Sequence, residues 1–304
     1  MGKTLKELAG LYASRQPKQV DDLTEEAPVL GIIPFEEASH DLWNMYESVD
    51  EVQGAGWVQM NAPLPPVDVT GELRKVDLAI LGGEIECPED MANMFGGREK
   101  YFARKLPRVV RRSGMSAERR ILYDNFRAWA LDHGRAVSAG SAADNCYSIV
   151  AVRFVPGETC GLYSPRCFRQ GAVLDTRPVN GGELYKAASG AYQGVLVYGM
   201  RLKAYLGVQI ANRHSVAAVV NASAEHVPTA DMIDDLLADV RATPGSTFLF
   251  MHEKAKNLLQ RYKGGALQVD PAGRDMDRRI THWNGIEIVT SYNFEDGTEK
   301  SLSV

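Results

Sequence analysis

The chain has 304 residues, 45% hydrophobic and 24% charged, which gives enough apolar material for a substantial core and too much for a disordered polypeptide. A formal net charge of -5 and a pI near 5.8 exclude broad attraction to a phosphate backbone, while leaving room for a local basic patch. Cys87, Cys146, Cys160 and Cys167 have neither the paired close spacing of a zinc site nor the density of a disulfide scaffold, so free thiols in a reducing cytoplasm are expected.

The first residues, Met-Gly-Lys-Thr-Leu-Lys-Glu-Leu, hold no apolar leader core. Lys6 stands where a myristoylation signal wants Ser or Thr, and no later stretch has the apolar length of a membrane span. A soluble, unexported protein is the expectation. Leu5, Leu8, Ala9 and Tyr12 follow the i, i+3, i+4, i+7 spacing of one helix face, which Pro17 closes. Residues 21 to 27 have room for another turn. Pro28 and Pro34 then predict an extended path through Val29, Leu30, Ile32, Ile33 and Phe35, an apolar arm without a hairpin partner in sequence. Such an arm must lie on its own body or on a neighbour.

From Trp43 to about Met60 the residues suit a strand, and Val69 to Cys87 alternate. Val76, Leu78 and Ile80 share one face, while Ala79, Leu81 and Ile85 share the other, as in a strand covered on both sides. Gly54, Gly56, Pro63, Pro65 and Pro66 suit a tip between two long strands, so an extended two-stranded finger is predicted. Residues 98 to 133 carry the longest helical stripe, roughly 50 Å if straight at about 1.5 Å per residue, with a kink or break expected at Pro107 or Ser113-Gly114.

The second half reads as a compact mixed sheet. Ser148 to Val155, Gly194 to Tyr198, Leu206 to Ile210 and Ala217 to Val220 are short strand-like runs. A helix spans Val227 to Thr243 with Thr229 as its cap and Met232, Ile233, Leu236, Leu237 and Val240 on its buried face. A strand at Thr247 to Met251 and a helix at Glu253 to Tyr262 follow. The alternation Ile286, Ile288, Thr290, Tyr292, Phe294 marks a last strand.

Motifs for chemistry fail one by one. No phosphate-cradling glycine loop occurs, and neither Ser141 nor Ser189 sits in a nucleophile elbow. His252-Glu253 lacks the second His four residues after the first, where Lys256 stands instead. The histidines at 40, 133, 214, 226, 252 and 282 are paired with no nucleophile in sequence and read as structural or surface residues. No catalytic residue, metal ligand or cofactor is therefore assigned. One charge cluster stands out: Lys100, Arg104, Lys105, Arg108, Arg111, Arg112, Arg119 and Arg120, on or beside the long helix. A solvated helix face is its plain reading; the sharper one is pairing across subunits with acids such as Asp21, Asp22, Glu25 and Glu26, or contact with packaged DNA.

The order of apolar arm, finger, long helix, compact α/β lobe and late strand resembles the tailed-bacteriophage major capsid proteins of the Hong Kong 97-like fold. The likeness is strongest to their short-tailed branch. Thr4-Leu5-Lys6-Glu7-Leu8-Ala9 matches an arm motif T-L-x-E-L-A, and Pro28 to Glu36 matches a P-L-L-x-x-L-P-F-E-like stretch. Lys75 to Gly83 and Tyr205 to Ile210 followed by Val216 to Asn221 are further echoes. Each motif alone is unspecific; their order covers nearly the whole chain.

The resemblance implies an α+β capsid fold: residues 1–45 as N-terminal arm, 46–80 as extended β-hairpin loop, 81–140 as peripheral domain with its spine helix, 145–275 as axial domain, and 276–304 as a C-terminal strand returning to the peripheral domain. It implies a non-enzymatic shell protein assembling as homo-hexamers and homo-pentamers into an icosahedral virion head around double-stranded DNA, in the host cytoplasm during assembly. A scaffolding protein, a portal and a decoration protein are the implied partners. No built-in scaffold region is seen, so the scaffold is expected to be separate. The Lys-Asn pair and acid that cross-link some relatives are not matched, so association is expected to be non-covalent. Candidate intersubunit contacts are Leu5, Leu8, Ile32, Phe35, Trp57, Arg74, Lys75, Arg104, Arg108, Arg111 and Arg112. The rivals are an encapsulin-like nanocompartment shell, a head-completion or decoration protein, and an α/β enzyme using Cys146 or Cys160.

Overall fold

A computed structural model describes residues 26–52, 56–60, 62–64, 69–166, 173–262 and 280–303. The expected amphipathic helix with Leu5 and Leu8, the acids Asp21, Asp22 and Glu25, and Cys167 lie outside these residues. In chain order come β1 (Phe35–Glu37), β2 (Trp43–Val52), β3 (Val69–Asp77), β4 (Ala79–Pro88), α1 (Glu89–Met94) and α2 (Arg98–Arg120). A π turn (Ile121–Arg127) joins α2 to α3 (Ala128–Asp132). Then follow β5 (Ala136–Ser138), β6 (Tyr147–Arg153), β7 (Thr159–Tyr163), β8 (Asp175–Pro178), β9 (Tyr185–Lys186), β10 (Leu196–Ile210) and β11 (Val216–Ala222). The chain closes with α4 (Ala230–Asp239), β12 (Thr247–Met251), α5 (Glu253–Tyr262), β13 (His282–Trp283) and β14 (Ile286–Thr290).

Two sheets and one long helix organise these elements. In the first sheet the 15-residue β10 is central: β4 runs antiparallel along one side, and β9, β8 and β7 pair in turn along the other. The two short strands expected at Gly194–Tyr198 and Leu206–Ile210 are the ends of this one strand. Arg201 and Lys203 hid the continuation by interrupting the apolar run, although they alternate with the buried Leu202 and Ala204 and so keep the strand's period. β1 joins as a parallel neighbour of β7, with Phe35 opposite Gly161. A Cβ at Gly161 would lie 2.6 Å from the Phe35 ring, so only glycine lets the arm settle there.

The second sheet has the order β13-β14-β12-β6-β11-β5. β6 and β11 are nearly continuous apolar runs because both of their faces are covered. Ile149, Ala151, Ala217 and Val219 meet Ile233, Leu236 and Leu259 of α4 and α5. Val150, Val152, Ala218 and Val220 meet Ile121, Leu122, Phe126 and Ala130 of the long helix. Thr229 caps α4 as expected, accepting the Met232 N–H at 3.2 Å. The N-terminal end of the long helix serves the first sheet's side, where Tyr101 and Phe102 of α2 pack with Cys87 and Ala92.

Several expectations are corrected. The helix runs unbroken through Pro107 and Gly114; its departure from α geometry is the π turn at 121–127. Pro107 removes the donor to the Ala103 carbonyl, and Ala103 is exposed, so that carbonyl is open to solvent and the lost bond costs little. The arm is not extended between its prolines: Ile32 and Ile33 both donate to the Val29 carbonyl, at 3.0 and 3.1 Å, and the turn buries Val29, Leu30 and Ile33 completely. The run from Val69 to Cys87 is two strands in two sheets, broken at Leu78, whose N–H donates to the Leu42 carbonyl at 2.8 Å. It is not covered on both faces, since Ile80 is exposed. Residues 145–262 supply strands to both sheets, and β14 pairs in parallel with β12 in the second. After Thr290 the chain bonds to the long helix, the Ser291 hydroxyl to Glu118 and the Glu295 N–H to the Tyr123 hydroxyl.

Candidate functional site

The finger is an isolated antiparallel pair, β2 with β3, from Trp43 opposite Asp77 to Val52 opposite Val69. Its alternation divides it into two faces. Asn44, Tyr46, Ser48 and Val76 turn toward the body, and the root is fastened there: Asn44 Nδ2 donates to Gln209 Oε1 at 2.6 Å, and Gln209 Nε2 donates to the Gly157 carbonyl at 2.6 Å. The opposite face carries Met45, Glu47, Leu73, Lys75 and Asp77 into solvent. Lys75 pairs with Asp77 at 2.7 Å and lies 5.5 Å from the centre of the Trp43 ring, itself stacked on His40.

Eight of the thirteen exposed large apolar side chains among the described residues fall between 42 and 80: Leu42, Met45, Trp57, Val58, Met60, Leu64, Leu73 and Ile80. Trp57 is wholly exposed and Met60 94% exposed. Scattered exposed apolar residues need no explanation, but this concentration on and beside the finger marks a surface built to be covered.

The structure separates the other sequence candidates. Phe35 is buried in the chain's own core and Ile32 is half-buried beside it, so the arm turn is already covered by its own body. Arg74 lies on the finger, 3.6 Å from Glu72. Arg104, Arg108 and Arg112 are exposed on α2 at four-residue intervals with Lys100, and none of the four meets a carboxylate among the described residues; Arg111 is half-buried at the edge of this stripe. Arg104 lies over the Phe95 ring at 5.7 Å.

Sequence reasoning missed two buried carboxylates that tie the chain's ends to the long helix. Glu118, wholly buried, accepts the Val29 and Leu30 N–H groups at 2.8 and 3.1 Å, the Ser291 hydroxyl, and Asn293 Nδ2 at 2.9 Å. Glu299 accepts from Tyr123, from Ser148, and from Arg127 Nη1 at 3.1 Å. Burial pushes both carboxyls above the usual range, against the pull of those donors. One signal for Glu118 was present in the sequence: an acid four residues after the buried Gly114 and four before the buried Leu122, on the apolar stripe itself. Nothing in sequence marked Ser291 or Asn293 as its partners.

The thiols point away from nucleophilic chemistry. Burial, helped by the Glu36 carboxylate, pushes the Cys160 thiol up to about 12, and burial raises Cys87 also. Cys146 Sγ donates to the Ala143 carbonyl at 3.0 Å. Burial lowers His252, whose Nδ1 accepts the Lys254 N–H. Among the described residues no group of His, Cys, Asp or Glu could hold a metal ion, and no helix is long and apolar enough to cross a membrane.

No family model matches the chain, and no curated protein does. Solved structures do. A chain of bacteriophage Epsilon15 superposes with a TM-score of 0.54 at 12% identity, covering 88% of each chain. A chain of the bacteriophage JBD30 capsid superposes with a TM-score of 0.56 at 7% identity, covering 89% of this chain and 92% of that one. A chain of the SrpI encapsulin complex from Synechococcus elongatus reaches a TM-score of 0.47 at 10% identity over 64% of this chain. The architecture is the one these two phage chains share. Its particular form is the Hong Kong 97-like capsid fold, present over nearly nine tenths of the chain.

Proposed function

We propose that the chain is the major capsid protein of a tailed bacteriophage, assembling non-covalently as hexamers and pentamers into an icosahedral head around double-stranded DNA. The observation that carries this reading is the finger: two strands, fastened at the root, with the chain's exposed apolar side chains concentrated on and around it. An isolated hairpin gains burial only by lying across another molecule, and a head-to-tail contact that closes on itself makes rings and then shells. In this reading the finger is the arm laid on a neighbour, the first sheet with α2 forms the peripheral region, and the second sheet with α4 and α5 forms the axial one. A separate scaffolding protein and a portal complete the head, with assembly in the host cytoplasm.

The test is expression with and without the candidate scaffold, followed by size-exclusion chromatography and negative-stain electron microscopy. Rings of five and six, or closed shells, are expected. A monodisperse monomer under both conditions would overturn the proposal, and shells purified from infected cells without nuclease-protected DNA would point to a protein-filled compartment instead.

A further inference from the structure

A cleft of about 260 Å³ lies where the finger root meets the C-terminal end of the long helix. Tyr46 and Trp129 line it as aromatic walls, Val208 lies in its apolar lining, and Asp124, Asn125 and Asp132 supply the polar groups. Asp124 has only Arg120, at 3.8 Å, and Asp132 has no ion-pair partner among the described residues. The helix ends at Asp132, so its negative pole adds to these charges. Carboxylates beside aromatic faces over an apolar lining are chemistry for a guanidinium, which pairs with the former and stacks on the latter.

The same chain carries a matching surface that this cleft cannot reach within one copy, because both lie on one rigid helix. Asp124 and Asp132 are eight residues apart, from the π turn to the helix end; Arg104 and Arg112 are also eight apart, roughly 12 Å on α2 at about 1.5 Å per residue. We infer that the cleft of one subunit receives Arg104 and Arg112 of a second copy, the basic half of one long helix docking on the acidic half of the next. The two surfaces differ, so the contact is heterologous and propagates around a ring. This rests on the shell reading and names one of its contacts.

The experiment compares assembly of wild type, Asp124→Lys/Asp132→Lys, Arg104→Glu/Arg112→Glu, and the four substitutions together, using the full chain with its scaffold. All four positions are exposed, and unchanged circular dichroism and melting temperature will show that each variant folds. Each double reversal is expected to lower the yield of assembled particles by about tenfold or more, and the combination to restore most of it. Assembly of either double variant at the wild-type level would overturn the pairing and leave the shell reading standing, as would failure of the combination to rescue. Loss of duplex DNA binding by Arg104→Glu/Arg112→Glu, with assembly intact, would assign the stripe to nucleic acid and overturn the pairing too. A wild type that never assembles removes the shell reading itself.

Discussion

The second sheet and the finger are both β structure, yet they solve opposite problems. β6 and β11 are covered on both faces, by α4 and α5 on one side and by the long helix on the other, and every side chain of β11 is buried. The finger has one face anchored at its root and the other in water, with Leu73 73% exposed. A sheet that meets its own burial needs gives a rigid body; a hairpin that does not must find a partner. The division of labour is testable, because substitutions in the two regions should move different observables.

The largest effect on stability is expected in the covered region. Phe126 is wholly buried between the helix and the sheet, with its ring 6.4 Å from that of Phe250. Phe126→Ala should cost about 3 to 5 kcal/mol, read as a shift in the urea midpoint of the unassembled chain. A cost under about 1 kcal/mol would mean that helix and sheet are not one packed unit.

That part of the molecule was also the easiest to read in sequence. Continuous apolar runs such as Ser148 to Val155, and the stripe of α4 with its Thr229 cap, have the periods that local geometry demands. What escaped the reading was set by distant contacts. The arm folds into a turn because Glu118, some ninety residues away, collects its N–H groups, and β10 hides behind Arg201 and Lys203. The break at Leu78 arises where Gly207 leaves room for that side chain, a Cβ there lying 2.6 Å from Leu78 Cδ2. At the candidate surfaces, charge was legible and exposure was not: the arginine stripe shows in the sequence as a run of cations, whereas nothing local marks Phe35 as buried in the chain's own core.

The next effect down is at the junction between regions. Glu118→Gln keeps one acceptor oxygen but places an amide N–H₂ against two of the four donors, so a loss of about 1 to 3 kcal/mol is expected. The pH dependence has a definite sign. Glu118 and Glu299 both have folded pKa values raised above their unfolded ones, so the stabilisation this gives is fully present below the unfolded carboxylate range and is lost as pH rises through the folded values. Glu118→Gln removes one of these slopes. Urea titrations at a series of pH values should show wild type losing its advantage over the variant as pH rises; an advantage growing with pH would mean that the ionised form is the favoured one. A smaller step, about 1 kcal/mol, is expected for Thr229→Ala through loss of the α4 cap, and thermal melts will read it.

The smallest change in stability should accompany the largest change in behaviour. Trp57→Ser and Leu73→Ser remove side chains that touch little of their own subunit, so the free chain should keep its urea midpoint to within about 0.5 kcal/mol. The same substitutions take apolar surface from the parts of the finger that have no cover among the described residues of its own subunit. Burial of a large side chain is worth about 1.5 to 3 kcal/mol per contact, repeated at every subunit of a ring. Sedimentation velocity on the assembly mixture should therefore show the particle peak replaced by slow species, with circular dichroism unchanged. If assembly survives both substitutions, the finger's open face is not where neighbours meet. If the free chain instead loses stability, the finger packs on its own body, and the contrast between the two regions disappears.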